Sequence, residues 1–221
     1  MNCPRCVLRI HRAAAECPHC GFTLAEAEVR FGAEDVRLRC LADAAGLLPQ
    51  RDRERVEEAM EHFSWRFPQL FVAVYAGSIG EISELRLFGF WLLNRAAFED
   101  LPAEKSNAAG ILLVIDPESK AASMTFGYLL DPFLDECDTF DCLTRAHSRW
   151  LEGRYADGII KAVSQLETVL RKRCGQARWN PKRFERRVCP PTTGRDGYLR
   201  TRTGRRLPAP APVADHEEVP P

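Results

Sequence analysis

The sequence predicts an α/β fold, an αβα layered sandwich around a short mixed sheet, with a small cysteine-rich module ahead of it and a tail behind. Three observations carry this. Short β-branched and aromatic runs bounded by proline or glycine alternate with stretches whose apolar residues recur at helical spacing. Two Cys-x-x-Cys pairs precede the first of these elements. Beyond Gly175 the apolar period stops and proline-rich stretches follow, a composition that predicts a disordered tail.

Taken in order, Thr23 to Glu34 is rich in Ala and Glu and reads as a short linking helix. Arg37 to Leu48 leads into the main domain. From Gln50 to Phe67 the positions Val56, Met60, Phe63 and Phe67 mark one face of a helix that Pro68 stops. Gln69 to Ala76 is a buried strand, and Ser83 to Phe98 a largely buried helix. Gly110 to Ile115 and Lys120 to Tyr128 are two strands joined by the turn Asp116-Pro117-Glu118-Ser119, an antiparallel hairpin. Leu143 to Leu151 is helical. Ala156 to Arg173 is the clearest amphipathic helix, with Ile159, Ile160, Val163, Leu166, Val169 and Leu170 on one face. The resulting organisation is a module at 1–22, a linker at 23–36, an αβα domain at 37–174 and a basic, Pro-rich tail at 175–221.

The cysteine pairs are Cys3-Pro4-Arg5-Cys6 and Cys17-Pro18-His19-Cys20-Gly21. Each can fold as a tight knuckle that turns two thiolates toward one point, and zinc takes four such ligands in a tetrahedron. Proline presets the turn and Gly21 permits the positive φ that ends it. The spacer between the pairs is shorter than in a full ribbon, yet leaves room for a hairpin with Val7 to Ile10 as one strand. A structural zinc ribbon with Cys3, Cys6, Cys17 and Cys20 as ligands is the expectation, set against disulfides, free thiols or a redox pair. A shell closed by four protein ligands has no position open for catalysis. Cys40, Cys137, Cys142, Cys174 and Cys189 share no metal-like spacing and read as small, partly buried hydrophobes.

Lys+Arg and Asp+Glu balance at 31 each, so no global field steers the protein to nucleic acid or membrane. The balance hides a basic stretch from Arg178 to Arg206. Met1 leads straight into the first knuckle without a signal-peptide pattern, and no apolar run is long enough to span a bilayer. The expectation is a cytoplasmic protein with reduced thiols and no membrane insertion.

Several stretches resemble the TPM domain family, named after a thylakoid lumen protein, a photosystem II-associated protein and a nematode receptor modulator. Leu41-Ala42-Asp43-Ala44-Ala45-Gly46-Leu47-Leu48 is similar to its opening D-x-A-G-x-L, and Gln69–Tyr75 to its Q-hydrophobic-V-V strand. Asn107 to Asp116 resembles the n-G-v-L-L-l-v strand and Phe126 to Asp131 the G-Y-G-L-E stretch. Leu151 to Ile159 resembles the f-r-x-G-d-Y-x-x-G-i helix start. The match covers roughly 37–173. It implies an αβα sandwich with an acidic end able to bind Ca²⁺ or Mg²⁺, and acid phosphatase activity as in some plant members. The residues carried over are Asp43, Asp131 in place of the family's Glu, and Glu136 near its following Asp. Asp131-Pro132 replaces Glu-Gly here, and Leu129 replaces a glycine.

The carboxylates Asp131, Asp135, Glu136, Asp138 and Asp141 read either as a cation-binding loop or as the solvated acidic start of a helix. No histidine sits in a recognisable nucleophile motif, and no phosphate-binding glycine fingerprint is present. Gly77-Ser78-Ile79-Gly80 reads as a plain loop, with a backbone phosphate cradle as the alternative. Arg178, Lys182, Arg183, Arg186 and Arg187, interleaved with Trp179 and Phe184, read as a solvated charge run or a nucleic-acid contact.

The function expected is that of a non-catalytic interaction or assembly module with a protein partner. The alternatives are a divalent-cation-dependent phosphatase using Asp43 and Asp131, and a nucleic-acid-binding accessory protein. Three structural expectations accompany this. The main core should not depend on the metal, truncation near Arg173 should leave stability unchanged, and Asp43 should approach Asp131.

Overall fold

The structure, a computed structural model, describes residues 1–11, 14–80, 84–102 and 104–185, all within one unit, Met1–Val188. After the two knuckles come helix α1 (Leu24–Phe31), strands β1 (Val36–Leu38) and β2 (Leu41–Asp43), and helix α2 (Gln50–Arg66). Strand β3 (Phe71–Ala76), helix α3 (Leu85–Arg95) and strand β4 (Ala96–Phe98) follow. Strands β5 (Gly110–Asp116) and β6 (Ala121–Phe126) precede helices α4 (Glu136–Leu151), α5 (Tyr155–Trp179) and α6 (Pro181–Glu185).

The main sheet has the order β2-β3-β5-β6, with the first three strands parallel and β6 antiparallel to β5. A second, two-stranded sheet pairs β1 with β4 in parallel. The expected mixed α/β architecture is present. Strands β3 and β5 are buried on both faces, which is why they read as continuous apolar runs.

Helix α3 covers the face of Tyr75, Val114, Ser123 and Thr125. Phe88 packs on Tyr75 at 5.0 Å between ring centroids. Gly89 faces β6 where a Cβ would lie 2.8 Å from Thr125 Oγ1. Helix α1 lies beyond α3, tied by the indole N–H of Trp91, which donates to the Gly32 carbonyl at 2.8 Å. The second helical layer is α2, α5 and α4, with α2 against β3, α4 against β6 and α5 between the two helices. Gly158 in α5 lets Trp150 of α4 come so close that any Cβ there would collide with the indole.

Several element bounds differ from the sequence reading. The apolar run expected to be helical to Phe98 leaves the helix at Arg95, and its last three residues pair with β1. Helix α4 begins at Glu136 rather than Leu143, because Asp135 and Asp138 form a reciprocal capping box there. Val7 to Ile10 is not a ribbon strand. Isolated bridges, Asn2 with Arg9 and Glu16 with Thr23, close each knuckle separately.

Residues 175–185, expected to belong to the tail, lie in helices α5 and α6 and the residue between them. Helix α5 continues to Trp179, and α6 buries Phe184, whose ring stacks on Phe133 at 5.6 Å. The rest of that expectation, residues 186–221, lies outside the described residues.

The knuckles are not an appendage to an independent core. Met1, Cys3, Ile10, Cys17 and Phe22 are buried in the same continuous core as β3, β5 and α5. Phe22 meets Phe90 of α3 edge-on at 5.6 Å, and Arg9 donates to the Leu134 carbonyl at 3.2 Å. This continuity bears against the expectation of a core indifferent to the metal: the module has too little apolar surface to bury alone and buries it on the domain.

Candidate metal centre

The two knuckles repeat one backbone pattern. Cys3 N–H donates to Leu8 and Cys17 N–H to Phe22, both at 2.8 Å, five residues on. The N–H groups of Val7 and Gly21 donate back to the carbonyls of Cys3 and Cys17 at 3.0 and 2.9 Å. This turn needs a left-handed residue after the second cysteine. Gly21 supplies it at φ 69°, and Val7 adopts the same conformation at φ 65°. A β-branched residue there is strained by roughly 1–3 kcal/mol. Val7→Gly should therefore tighten metal binding. After subtracting about 0.5–1 kcal/mol for the freedom glycine loses, a gain of roughly fivefold is expected. Titration against a competing chelator measures it, and unchanged affinity would show that the strain is not relieved.

The sulfur atoms of Cys3, Cys6, Cys17 and Cys20 lie within 4.8 Å of one another. Across the knuckles, Cys3 Sγ is 3.6 Å from Cys20 Sγ, and Cys6 Sγ is 3.6 Å from Cys17 Sγ. A tetrahedron with metal–sulfur bonds near 2.3 Å has edges of about 3.8 Å, whereas a disulfide needs about 2.05 Å. All four thiols are free. The donor set and spacing fit a metal ion such as zinc, and no other group of three such side chains meets this condition among the described residues.

Burial pushes the Cys3 and Cys6 thiols up. It acts on Cys17 too, but N–H groups of His19 and Cys20 point at that sulfur, with the Cys6 and Cys20 thiols, and it lies below its ordinary value. A bound cation would hold all four as thiolates. Around the centre, Arg5 pairs with Glu26, the capping-box residue of α1, and stacks over Phe22 at 5.3 Å.

The other candidate ligands do not converge. Asp43, at the end of β2, is level with Ala76 and hence with Ile115. Its carboxylate accepts the N–H groups of Leu47 and Leu48 at 2.9 Å, with Arg53 at 3.7 Å, and so shapes the turn into α2. Asp131 follows β6, which runs the other way and exits level with Ile111. The expected approach of Asp43 to Asp131 is therefore overturned: antiparallel β6 delivers Asp131 to the opposite end of the sheet. There Asp131 pairs with the Met1 ammonium. Glu136 accepts from the Asn2 amide at 2.9 Å and pairs with Arg86 at 2.8 Å.

The rest of the acidic cluster is helix-start chemistry. Asp135 caps α4 by accepting the Asp138 N–H at 3.0 Å. Arg173 of α5 lies 3.0 Å from Asp138 and 3.7 Å from Asp135. Of the remaining cysteines, Cys40 and Cys142 are buried hydrophobes as expected. Burial and the Asp100 charge push the Cys40 thiol up. Burial, then Asp138 and Asp141, push Cys142 up to about 12. Cys137 is exposed, contrary to expectation, and Cys189 lies outside the described residues. Of the basic run, Arg178, Trp179 and Lys182 are exposed, while Arg186 and Arg187 lie outside the described residues.

No protein family model matches the sequence. No curated protein matches it either. Among solved structures, the chain is similar to the N-terminal domain of a protein from P. gingivalis, at 23% identity over 61% of this chain and 83% of that one, with a TM-score of 0.46. BA42 protein from the psychrophilic bacterium Bizionia argentinensis is similar at 11% identity, covering 57% and 83%, with a TM-score of 0.46. The N-terminal domain of cg2496 protein from Corynebacterium glutamicum is similar at 10% identity, covering 59% and 78%, with a TM-score of 0.45. These likenesses assign no role to any residue. No helix among the described residues is long and apolar enough to cross a membrane.

The side chains that sequence reasoning missed are Asn2 and Arg86, which meet on Glu136 beside β6. Asn2 stands next to a cysteine ligand and Arg86 inside an apolar helix, and neither position carries a motif that marks it.

Proposed function

We propose that the chain is a non-catalytic interaction module in which a structural zinc ion staples the N-terminal knuckles onto a TPM-like αβα domain. The carrying observation is the set of four free thiols at tetrahedral spacing. Such a shell is closed by protein, so the metal's contribution is to fix the chain rather than to activate water. The TPM part rests on the five sequence stretches. Gly127 in one of them supports it: a Cβ there would collide with the Ala108 carbonyl, so the position accepts glycine alone.

The phosphatase alternative loses its geometric basis because Asp43 and Asp131 stand at opposite ends of the sheet and each already serves another group. Metal analysis of the purified chain tests the proposal. About one zinc per chain is expected, lost in Cys6→Ser, with no turnover of a phosphate-ester array in Mg²⁺ or Ca²⁺. Zinc at background level, or turnover that Asp131→Asn removes, would overturn it.

A further inference from the structure

We propose that the open edge of β6 is a docking site for an extended peptide strand of a protein partner. This rests on the interaction-module reading above and names the surface that such a module would use.

The ladder register fixes which groups are open. Gly127 N–H donates to the Gly110 carbonyl at 2.9 Å, so these two residues form a hydrogen-bonded pair. Antiparallel pairs alternate, and with Ile111 opposite Phe126 the residues bonded to β5 are Thr125, Ser123 and Ala121. Ala122, Met124 and Phe126 therefore direct their N–H and C=O groups away from the sheet, and β6 is its last strand. Exposed edges of this kind are normally blunted by lysine, proline, a bulge or a covering element. The segment Ala121-Ala122-Ser123-Met124-Thr125-Phe126 has no charge and no proline.

The edge lies in a groove of about 260 Å³ between α3 and α4. Phe90 lines it from α3, and Phe140 and Leu143 from α4. Phe140 is 66% exposed, an apolar side chain held at the rim with nothing described to cover it.

The polar groups of the groove point to a peptide. Glu136 accepts the Asn2 amide on one oxygen and pairs with an Arg86 nitrogen on the other. That leaves Asn2 Oδ1, an acceptor, and Arg86 Nη1, a donor, buried in the groove lining without partners among the described residues. Such orphaned groups carry a desolvation penalty that a ligand can relieve. A peptide backbone offers both complements, an N–H for Asn2 and a C=O for Arg86, and both residues line the groove along which Met124 lies. The occupant is thus an extended segment whose alternate apolar side chains lie on Phe140 and Leu143. A second copy of the chain fits less well, because its own β6 edge is recessed between the same two helices.

The test uses the full, metal-loaded chain as bait for a displayed random-peptide library, with the best binder resynthesised. Peptides with alternating apolar residues are expected, together with slowed amide exchange at Ala122, Met124 and Phe126. Met124→Pro removes an outward N–H that β5 does not use, and Phe140→Asp charges the rim without touching the sheet. Each should weaken the peptide at least tenfold while the melting temperature and zinc content are retained. Phe140→Asp keeps the test open if Met124→Pro fails to fold. No enriched peptide, or a binder indifferent to Phe140→Asp, overturns the proposal. So does self-association of the chain that blocks the edge. Zinc content in the same sample separates these outcomes from failure of the metal-centre reading.

Discussion

Stripping the metal from the four-cysteine centre is expected to lower the melting temperature of the whole described domain, on the order of 10 °C or more. The reason is continuity of the core. Met1, Ile10 and Phe22 are 2%, 5% and 3% exposed and belong to the continuous core of the domain, with Phe22 on Phe90 of α3 and Met1 Sδ beside Asn94. Without a cation, the four sulfurs, two buried and two half-buried, lose the ion that would hold the two knuckles together. Within themselves the knuckles then have two short bridges and a few backbone bonds, too little to hold the shape that fits them onto the domain. Their release would uncover Phe90, which is 5% exposed and faces Phe22. Burying a side chain of this size contributes about 1.5–3 kcal/mol, so losing three or four costs on the order of 5 kcal/mol. At about 2–4 °C per kcal/mol for a chain of this length, the shift is large. Thermal unfolding with and without a chelator measures it, and Cys6→Ser should reproduce it. Restored stability on adding zinc back separates metal loss from chelator damage. Loosening confined to residues before about 23, with an unchanged transition for the rest, would show that the knuckles are separable after all.

The parts legible in the sequence are those whose signal is local. The knuckles announce themselves by residue spacing, and β3, β5 and β6 by runs long enough to show their character. Strands β1, β2 and β4 are three residues each. A period cannot be read in so short a stretch, and these strands exist because a partner strand lies alongside. The start of α4 is legible in the spacing of Asp135 and Asp138, which form a capping box, and the acidic residues there read both as a helix start and as a cation-binding loop. Whether Asp43 meets Asp131 depends on which way β6 runs relative to β2. In the sequence Asp131 follows a strand and Asp43 lies in the lead-in, and only the sheet assigns them to opposite ends. Asn2 and Arg86 became visible only as neighbours of one carboxylate.

The C-terminal boundary gives the second large effect, and here the composition misleads in a testable way. A chain ending at Arg173 should melt roughly 10 °C below one ending at Glu185, although half of the residues removed are polar. The truncation takes away the last turn and a half of α5 and all of α6, and with them Phe184, which is 7% exposed. Its ring stacks on Phe133, in the turn before α4. Full burial of a phenylalanine is worth up to about 3 kcal/mol, and the ring pair adds about 0.5–1.5 kcal/mol. Arg173 itself would become the chain end, with its guanidinium still required by Asp135 and Asp138 at the start of α4. That site frays once the helix behind it is gone, because a terminal turn lacks the hydrogen bonds that fix an interior one. Phe184→Ala in the full chain isolates the aromatic share and should reproduce more than half of the loss. The stretch after Glu185 is proline-rich and poor in large apolar residues, so a chain ending at Glu185 should match the full chain. Equal melting temperatures for chains ending at Arg173 and Glu185 would remove α6 from the folded domain.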